Sequence, residues 1–124
     1  MSAEPLAAAL QLQREAAVLG FDWREVDELW AKLAEEIGEL QAAIPEGPAA
    51  IEDELGDLLF MAVNLARHLG VDLASALASS NAKFTRRFAH ICAQLEHLPP
   101  LGDPARLDAM EALWQDAKRL EKPR

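Results

Sequence analysis

No helix can run unbroken through Pro45-Glu46-Gly47-Pro48, because each proline lacks a backbone N–H and its ring clashes with the preceding turn. Helix-patterned stretches lie on both sides of this break, and each carries a compact acidic group. Glu35-Glu36-Ile37-Gly38-Glu39 precedes it and Glu54-Leu55-Gly56-Asp57 follows, with fourteen residues between Glu39 and Glu54. If the break is a tight turn, the two helices are antiparallel neighbours. Glu36 and Glu39 stand three apart, as do Glu54 and Asp57, so each pair projects from one side of its helix. Four carboxylates then converge. Like charges at this spacing repel by roughly a few tenths of a kcal/mol per pair even on a solvated surface, so the group calls for a cation. An oxygen-only donor set with no Cys or His nearby suits a hard ion, Mg²⁺ or Mn²⁺.

Helical phase sharpens the expectation. At about 100° per residue, Leu29, Leu33, Leu40 and Ile44 form one apolar stripe, and Glu36 falls inside it. Glu39 shoulders the stripe, while Glu35 points further out. On the following helix the expected stripe is Ile51, Leu55, Leu58, Ala62, Leu65 and Leu69, with Glu54, Asp57, Met61, Asn64 and His68 as a second row along its edge. A carboxylate in an apolar seam is costly unless paired or metal-bound. A solvated acidic face, the ordinary fate of surface glutamates, therefore fits Glu35 well and Glu36 poorly.

Length and composition narrow the class. A chain of 124 residues suits a single domain spanning 1–124 with a real core. Its 51% hydrophobic content, few aromatics and lack of Tyr point to an all-α globule rather than a β design. A net charge of −9 argues against a nucleic-acid surface, where phosphate contacts dominate affinity. The lone Cys92 cannot form an internal disulfide and reads as a small apolar helix residue. Gln11, Gln13, Arg14 and Glu15 interrupt any leader-like apolar run, and no run reaches membrane-spanning length. The expectation is a cytoplasmic protein with no membrane partner.

Five helices are expected. The first runs from Pro5 to about Leu19, ended by Gly20. Asp22, followed by Glu25, signals the N-cap of a second over about Trp23 to Ile44. Pro48 opens a third, stopped after Leu69 by Gly70. Asp72 caps a fourth with Leu73, Leu77, Phe84, Phe88, Ile91 and Leu95 on one face, terminated by Pro99-Pro100. Asp103-Pro104 starts a fifth with Leu107, Met110, Leu113 and Trp114 as its apolar side. Helices of this length with short connections make a bundle.

The cations are patterned too. Lys83 and Arg87 are four apart beside the fourth helix's apolar face, with Arg86 turned outward, and Trp114 and Lys118 share that spacing on the fifth. Lys and Arg neutralise phosphate oxygens, and an indole stacks on a base. Singly these are a pair of surface cations and a core anchor. Beside the carboxylates they suit a phosphorylated, base-bearing ligand.

The order of these segments resembles the MazG-type nucleoside triphosphate pyrophosphohydrolases. EEIGE, fourteen residues, then ELGD fits the family's EExxE…ExxD signature. GFDW at Gly20–Trp23, KLAEEIGEL at Lys32–Leu40, ELGDLLFMAVNLARHLG at Glu54–Gly70, NAKFTRRF at Asn81–Phe88 and MEALWQDAK at Met110–Lys118 are similar in turn to the C-terminal catalytic domain of bacterial MazG. That protein typically has two tandem domains, and this chain has room for one.

The resemblance implies an all-α fold and cleavage of a nucleoside triphosphate between the α and β phosphates, giving monophosphate and pyrophosphate. It implies Glu36, Glu39, Glu54 and Asp57 as metal ligands, with Glu35 as a further ligand or base. Lys83 and Arg87 match phosphate-contacting residues, with Arg86 adjacent. Asn64 matches a nucleotide-facing position, and Trp114 and Lys118 a base-side pair. A homodimer or higher homo-oligomer is expected. Preference for dUTP, dCTP or a damaged nucleotide is the alternative within the family. A di-iron carboxylate bundle would need Glu-x-x-His pairs, and none of His68, His90 or His97 has Glu three residues before it. A non-enzymatic helical interaction module would leave Glu36 in its apolar seam unexplained.

Overall fold

The computed structural model describes residues 4–122, which form two compact units, one up to Ala76 and the other from Leu77. Its α-helices are α1 (Glu4–Val18), α2 (Val26–Ala43), α3 (Pro48–Leu69), α4 (Leu73–Cys92) and α5 (Pro104–Glu121), with single 3₁₀ turns at Ile44–Glu46 and Leu95–His97. No strand occurs among the described residues. The all-α expectation holds. No single helix among the described residues is long and apolar enough to cross a membrane.

Two boundaries differ from expectation. Helix α2 begins at Val26 rather than Trp23, because Glu25 is the N-cap and Glu28 seals the end. The Glu28 carboxylate accepts from the backbone N–H groups of Arg24 at 2.7 Å and Glu25 at 3.2 Å. Asp22, read as the cap, instead accepts from Arg67 Nη1 and Nη2 at 2.9 and 2.7 Å and lies 3.0 Å from His68 Nε2. It ties the GFDW segment to the last turn of α3. Donation from Arg67 outweighs desolvation and holds the Asp22 carboxyl far below the usual carboxylate range. Helix α4 stops at Cys92, well short of Pro99, and Cys92 is exposed rather than packed.

In the first unit, α2 lies along α3 and α1 packs against another side of α3. Leu29 is completely buried, and Ala43, Met61, Val63 and Ala66 are buried with it in this unit, Val63 and Ala66 beside Leu6, Ala7 and Leu10 of α1. Removing a side chain such as Leu29 from water contributes about 1.5–3 kcal/mol. The expected stripe on α3 is only partly packed. Ile51, Leu58, Ala62 and Leu65 are half-buried but Leu55 and Leu69 are exposed, while in the edge row Met61 and Asn64 are buried, Glu54 and His68 half-buried and Asp57 exposed. Val63 and Ala66 are buried as well, so burial on α3 extends beyond the leucine stripe. Ile44 of the α2 stripe is likewise exposed.

In the second unit, α4 and α5 meet through large side chains. Phe84 and Phe88 stack at 5.4 Å, and Phe84 lies 5.5 Å from the Trp114 ring at 46°. Ile91 and Ala117 are its buried apolar residues. A cavity of about 280 Å³ remains among Phe84, Phe88, Ile91, Leu107, Met110 and Trp114. Leu77, Phe84, Phe88 and Leu95, expected on the packed face of the fourth helix, are exposed, as is Leu107, expected on that of α5.

Gly70 ends α3 in the left-handed region at φ 70° and ψ 30°, with the Val71 N–H reaching Ala66 O at 2.9 Å. A Cβ at Gly70 meets no atom within 4 Å, so a substitution there tests backbone strain alone. Gly70→Ala is expected to destabilise the protein by about 1–2 kcal/mol. Chemical denaturation should show this as a lower midpoint at unchanged m-value.

Candidate functional site

The turn at Ile44–Glu46 and Pro48 at the start of α3 return the chain along α2. That return brings one carboxylate oxygen each from Glu36, Glu54 and Asp57 within 4.8 Å of one another. Glu36 is only 6% exposed, Glu54 is half-buried and Asp57 is exposed, so the group opens from the α2–α3 seam toward solvent. Two oxygens in it, Glu36 Oε2 and Glu54 Oε2, are buried without a hydrogen-bond partner. Such orphans are rare in folded proteins and costly. Three converging carboxylates with two unsatisfied buried oxygens fit a hard divalent ion, the role the donor set suggests.

The electrostatics agree. Burial raises the Glu54 carboxyl above its ordinary value, and the charges of Glu39, Asp57, Asp53 and Glu36 raise it further. Lys32 supplies a protein counter-charge, with Nζ 3.1 Å from Glu35 Oε1 and 3.4 Å from Glu36 Oε1. It reaches only the Glu36 side, so Glu54 and Asp57 stay uncompensated by it.

Of the four expected ligands, Glu36, Glu54 and Asp57 are brought together. Glu39 is exposed and stands outside that group, although its charge acts on Glu54 more strongly than any other. Glu35 is exposed and paired with Lys32. Asn64 is buried, accepting from Arg67 Nη2 at 2.9 Å and donating to Met61 Sδ at 3.7 Å. It lines a cavity of about 360 Å³ with Gln13, Phe21, Trp23, Phe60 and Arg67, among others. Gln13 is buried there, donating to Phe60 O at 3.0 Å and accepting from Arg67 Nε at 3.3 Å.

The second unit holds the expected basic residues. Arg87 lies over Trp114 with its guanidinium carbon 5.6 Å from the ring centroid, so the indole expected beside a base already carries a cation. Arg86 and Arg87 both donate to Glu121. Lys83 is exposed and Lys118 half-buried. Charge is divided unevenly along the chain. Residues 1–76 hold fifteen acidic and four basic side chains, and residues 77–124 hold six and eight.

Sequence reasoning missed Lys32, Gln13, Arg67 and Glu121. Lys32 was detectable from its i, i+4 spacing to Glu36. The others act across 34 or more positions, as in Arg87–Glu121 and Gln13–Arg67, and leave no local signal.

Comparison with known proteins yields the same assignment. Residues 24–92 match the MazG nucleotide pyrophosphohydrolase domain. The chain is 40% identical over 123 residues to a nucleoside triphosphate pyrophosphohydrolase of Escherichia coli K12, covering 94% of this chain and 45% of that protein. It is 35% identical over 113 residues to the nucleoside triphosphate pyrophosphohydrolase/pyrophosphatase MazG of Thermotoga maritima, covering 91% and 44%. It thus spans just under half the length of these relatives.

The raised carboxyl of Glu54 sets a pH test. Its folded state favours the protonated acid, so the Glu54 contribution to metal-free stability should be full below the ordinary value of 4.5 and fall as pH rises from there through the folded value, opposite in sign to that of Asp22. Glu54→Gln is expected to flatten that fall and to melt above the metal-free wild type. It should also lose most of the Tm increase that millimolar Mn²⁺ gives the wild type. Scanning calorimetry from pH 4 to 8, with and without the ion, measures both effects.

Proposed function

Because the chain belongs to the MazG nucleotide pyrophosphohydrolase domain family, we propose that it hydrolyses nucleoside triphosphates to nucleoside monophosphate and pyrophosphate, with Mg²⁺ as its ion and Mn²⁺ as a substitute. We take both units as parts of one catalytic domain, 1–124. The convergence of Glu36, Glu54 and Asp57 with two unpartnered buried oxygens supports this reading most strongly. These three residues would hold the ion, with Glu39 completing the set. A bound divalent ion supplies charge screening of the triphosphate and a more acidic water. Since Lys32 holds Glu35, Glu39 is the freer carboxylate to orient the attacking water. Lys83, Arg86 and Arg87 neutralise the outer phosphates and the charge on departing pyrophosphate. Trp114 and Lys118 serve the nucleoside end, and Asn64 offers an amide at the wall of its cavity. We assign this work to the cytoplasm, in control or cleansing of the nucleotide pool. An interaction module without catalysis would gain nothing from unsatisfied carboxylates in a packed seam.

The products decide the reaction. With ¹⁸O-labelled water and a panel of ribo- and deoxyribonucleotides including dUTP and dCTP, the label is expected in the monophosphate, marking attack at the α phosphorus. Release of orthophosphate, or label confined to pyrophosphate, overturns the assignment. Arg87→Ala should lower kcat/KM about 10²–10³-fold, the scale of losing one transition-state donor. The panel also reveals any base preference.

We further propose that the active form is a homodimer or larger. Leu55, Leu59 and Leu69 on α3, with Leu77 and Phe84 on α4, are exposed in the single chain. Apolar surface of this kind is ordinarily covered by another copy. Light scattering at micromolar concentration should give at least twice the 13.6 kDa chain mass. A fully active monomer rejects this assembly.

A further inference from the structure

Arg86 and Arg87 are consecutive on α4, so their side chains leave the helix about 100° apart. One belongs beside the apolar face and the other outward, as their exposures of 17% for Arg87 and 59% for Arg86 reflect. Yet both end on one carboxylate. Glu121, the last residue of α5, accepts from Arg86 Nε on Oε2 and from Arg87 Nε on Oε1, each at 3.0 Å. Arg87 is also held over the Trp114 ring.

The mode of contact carries the argument. A carboxylate that competes with phosphate for an arginine would take the fork, two parallel N–H bonds, as Asp22 takes both terminal nitrogens of Arg67. Glu121 takes only Nε from each partner. The terminal amino groups of Arg86 and Arg87 make no hydrogen bond among the described residues, leaving several donors around one negative charge. Two guanidinium groups this close repel, and Glu121 offsets that repulsion without using the donors a phosphate needs. Partial burial alone would raise the Glu121 carboxyl, but donation from Arg87 and Arg86 leaves it below its ordinary value, so the charge persists at neutral pH.

We propose that Glu121 is a positioning residue that gathers Arg86 and Arg87 into a paired-guanidinium clamp for the terminal phosphates of the nucleotide, and for pyrophosphate as product. This rests on the reading of Arg86 and Arg87 as phosphate contacts and adds what gathers them despite their divergent helical phase. The C-terminal turn of α5 becomes part of phosphate binding.

The test uses the full chain and inorganic pyrophosphate as probe, with Mg²⁺ present, beside steady-state kinetics on a nucleoside triphosphate. Glu121→Gln is expected to weaken pyrophosphate binding by calorimetry about tenfold, the scale of one charge-assisted hydrogen bond. KM should rise in parallel and kcat should change less. Glu121→Asp, which keeps the charge, should recover much of the loss. In an Arg86→Ala background Glu121→Gln should cost distinctly less than in wild type, because the pair it gathers is already broken. Tighter pyrophosphate binding or a lower KM in Glu121→Gln makes Glu121 a competitor of phosphate and overturns the proposal. Unchanged binding and KM with only a lower Tm makes it a helix-end brace and overturns it too. If the wild type released no pyrophosphate from any nucleotide, the hydrolase reading would fail, while the calorimetric arms would still decide the clamp.

Discussion

Mutual repulsion among Glu36, Glu54 and Asp57 is the constraint around which the first unit is built. Packing α2 along α3 forces these carboxylates within 4.8 Å of one another, in a seam where water cannot satisfy Glu36 Oε2 or Glu54 Oε2. Desolvation and like charge act in the same direction on Glu54. Nothing in the seam relieves it fully, because Lys32 reaches only Glu35 and Glu36. Leu29, Ala43 and Met61 hold the helices together against this repulsion. The fold therefore stores unfavourable electrostatics at one spot, which a bound cation would relieve.

The second unit presents the complementary problem with another solution. Adjacent arginines on α4 repel each other, and the fold answers with a single carboxylate from α5 and the face of an indole. In both units the local charge is left under-compensated, negative in the first and positive in the second. The relatives' chains are more than twice as long as the regions matched, so these two charge patterns are read from this chain's own side chains.

The scarcity of core bears on assembly. Among the described residues Leu29 is the one large side chain fully removed from solvent, while Leu55, Leu59 and Leu69 of α3 and Phe84 and Phe88 of α4 stay exposed. A chain of this length folded alone would ordinarily bury more. Leu55, Leu59 and Leu69, exposed on α3, are the surface on which the proposed self-assembly rests.

Local rules settled much of this protein in advance. Pro45 and Pro48 dictated the break, Gly70 and Asp103 marked helix ends, and i, i+3 spacing placed Glu36 with Glu39 and Glu54 with Asp57 on shared faces. The all-α class and the acidic character of the first helical pair follow from those residues alone, because helix propensity and period are short-range properties. Tertiary structure decided what depends on partners distant in the chain. It decided which residues of α3 are fully buried, since both α1 and α2 pack on that helix and phase alone cannot say where. It turned Asp22 from a cap into an anchor for Arg67, drew Arg86 across to Glu121, and left Glu39 outside the carboxylates that meet. Each outcome is a competition between a local preference and a contact tens of residues away, and only packing fixes which wins.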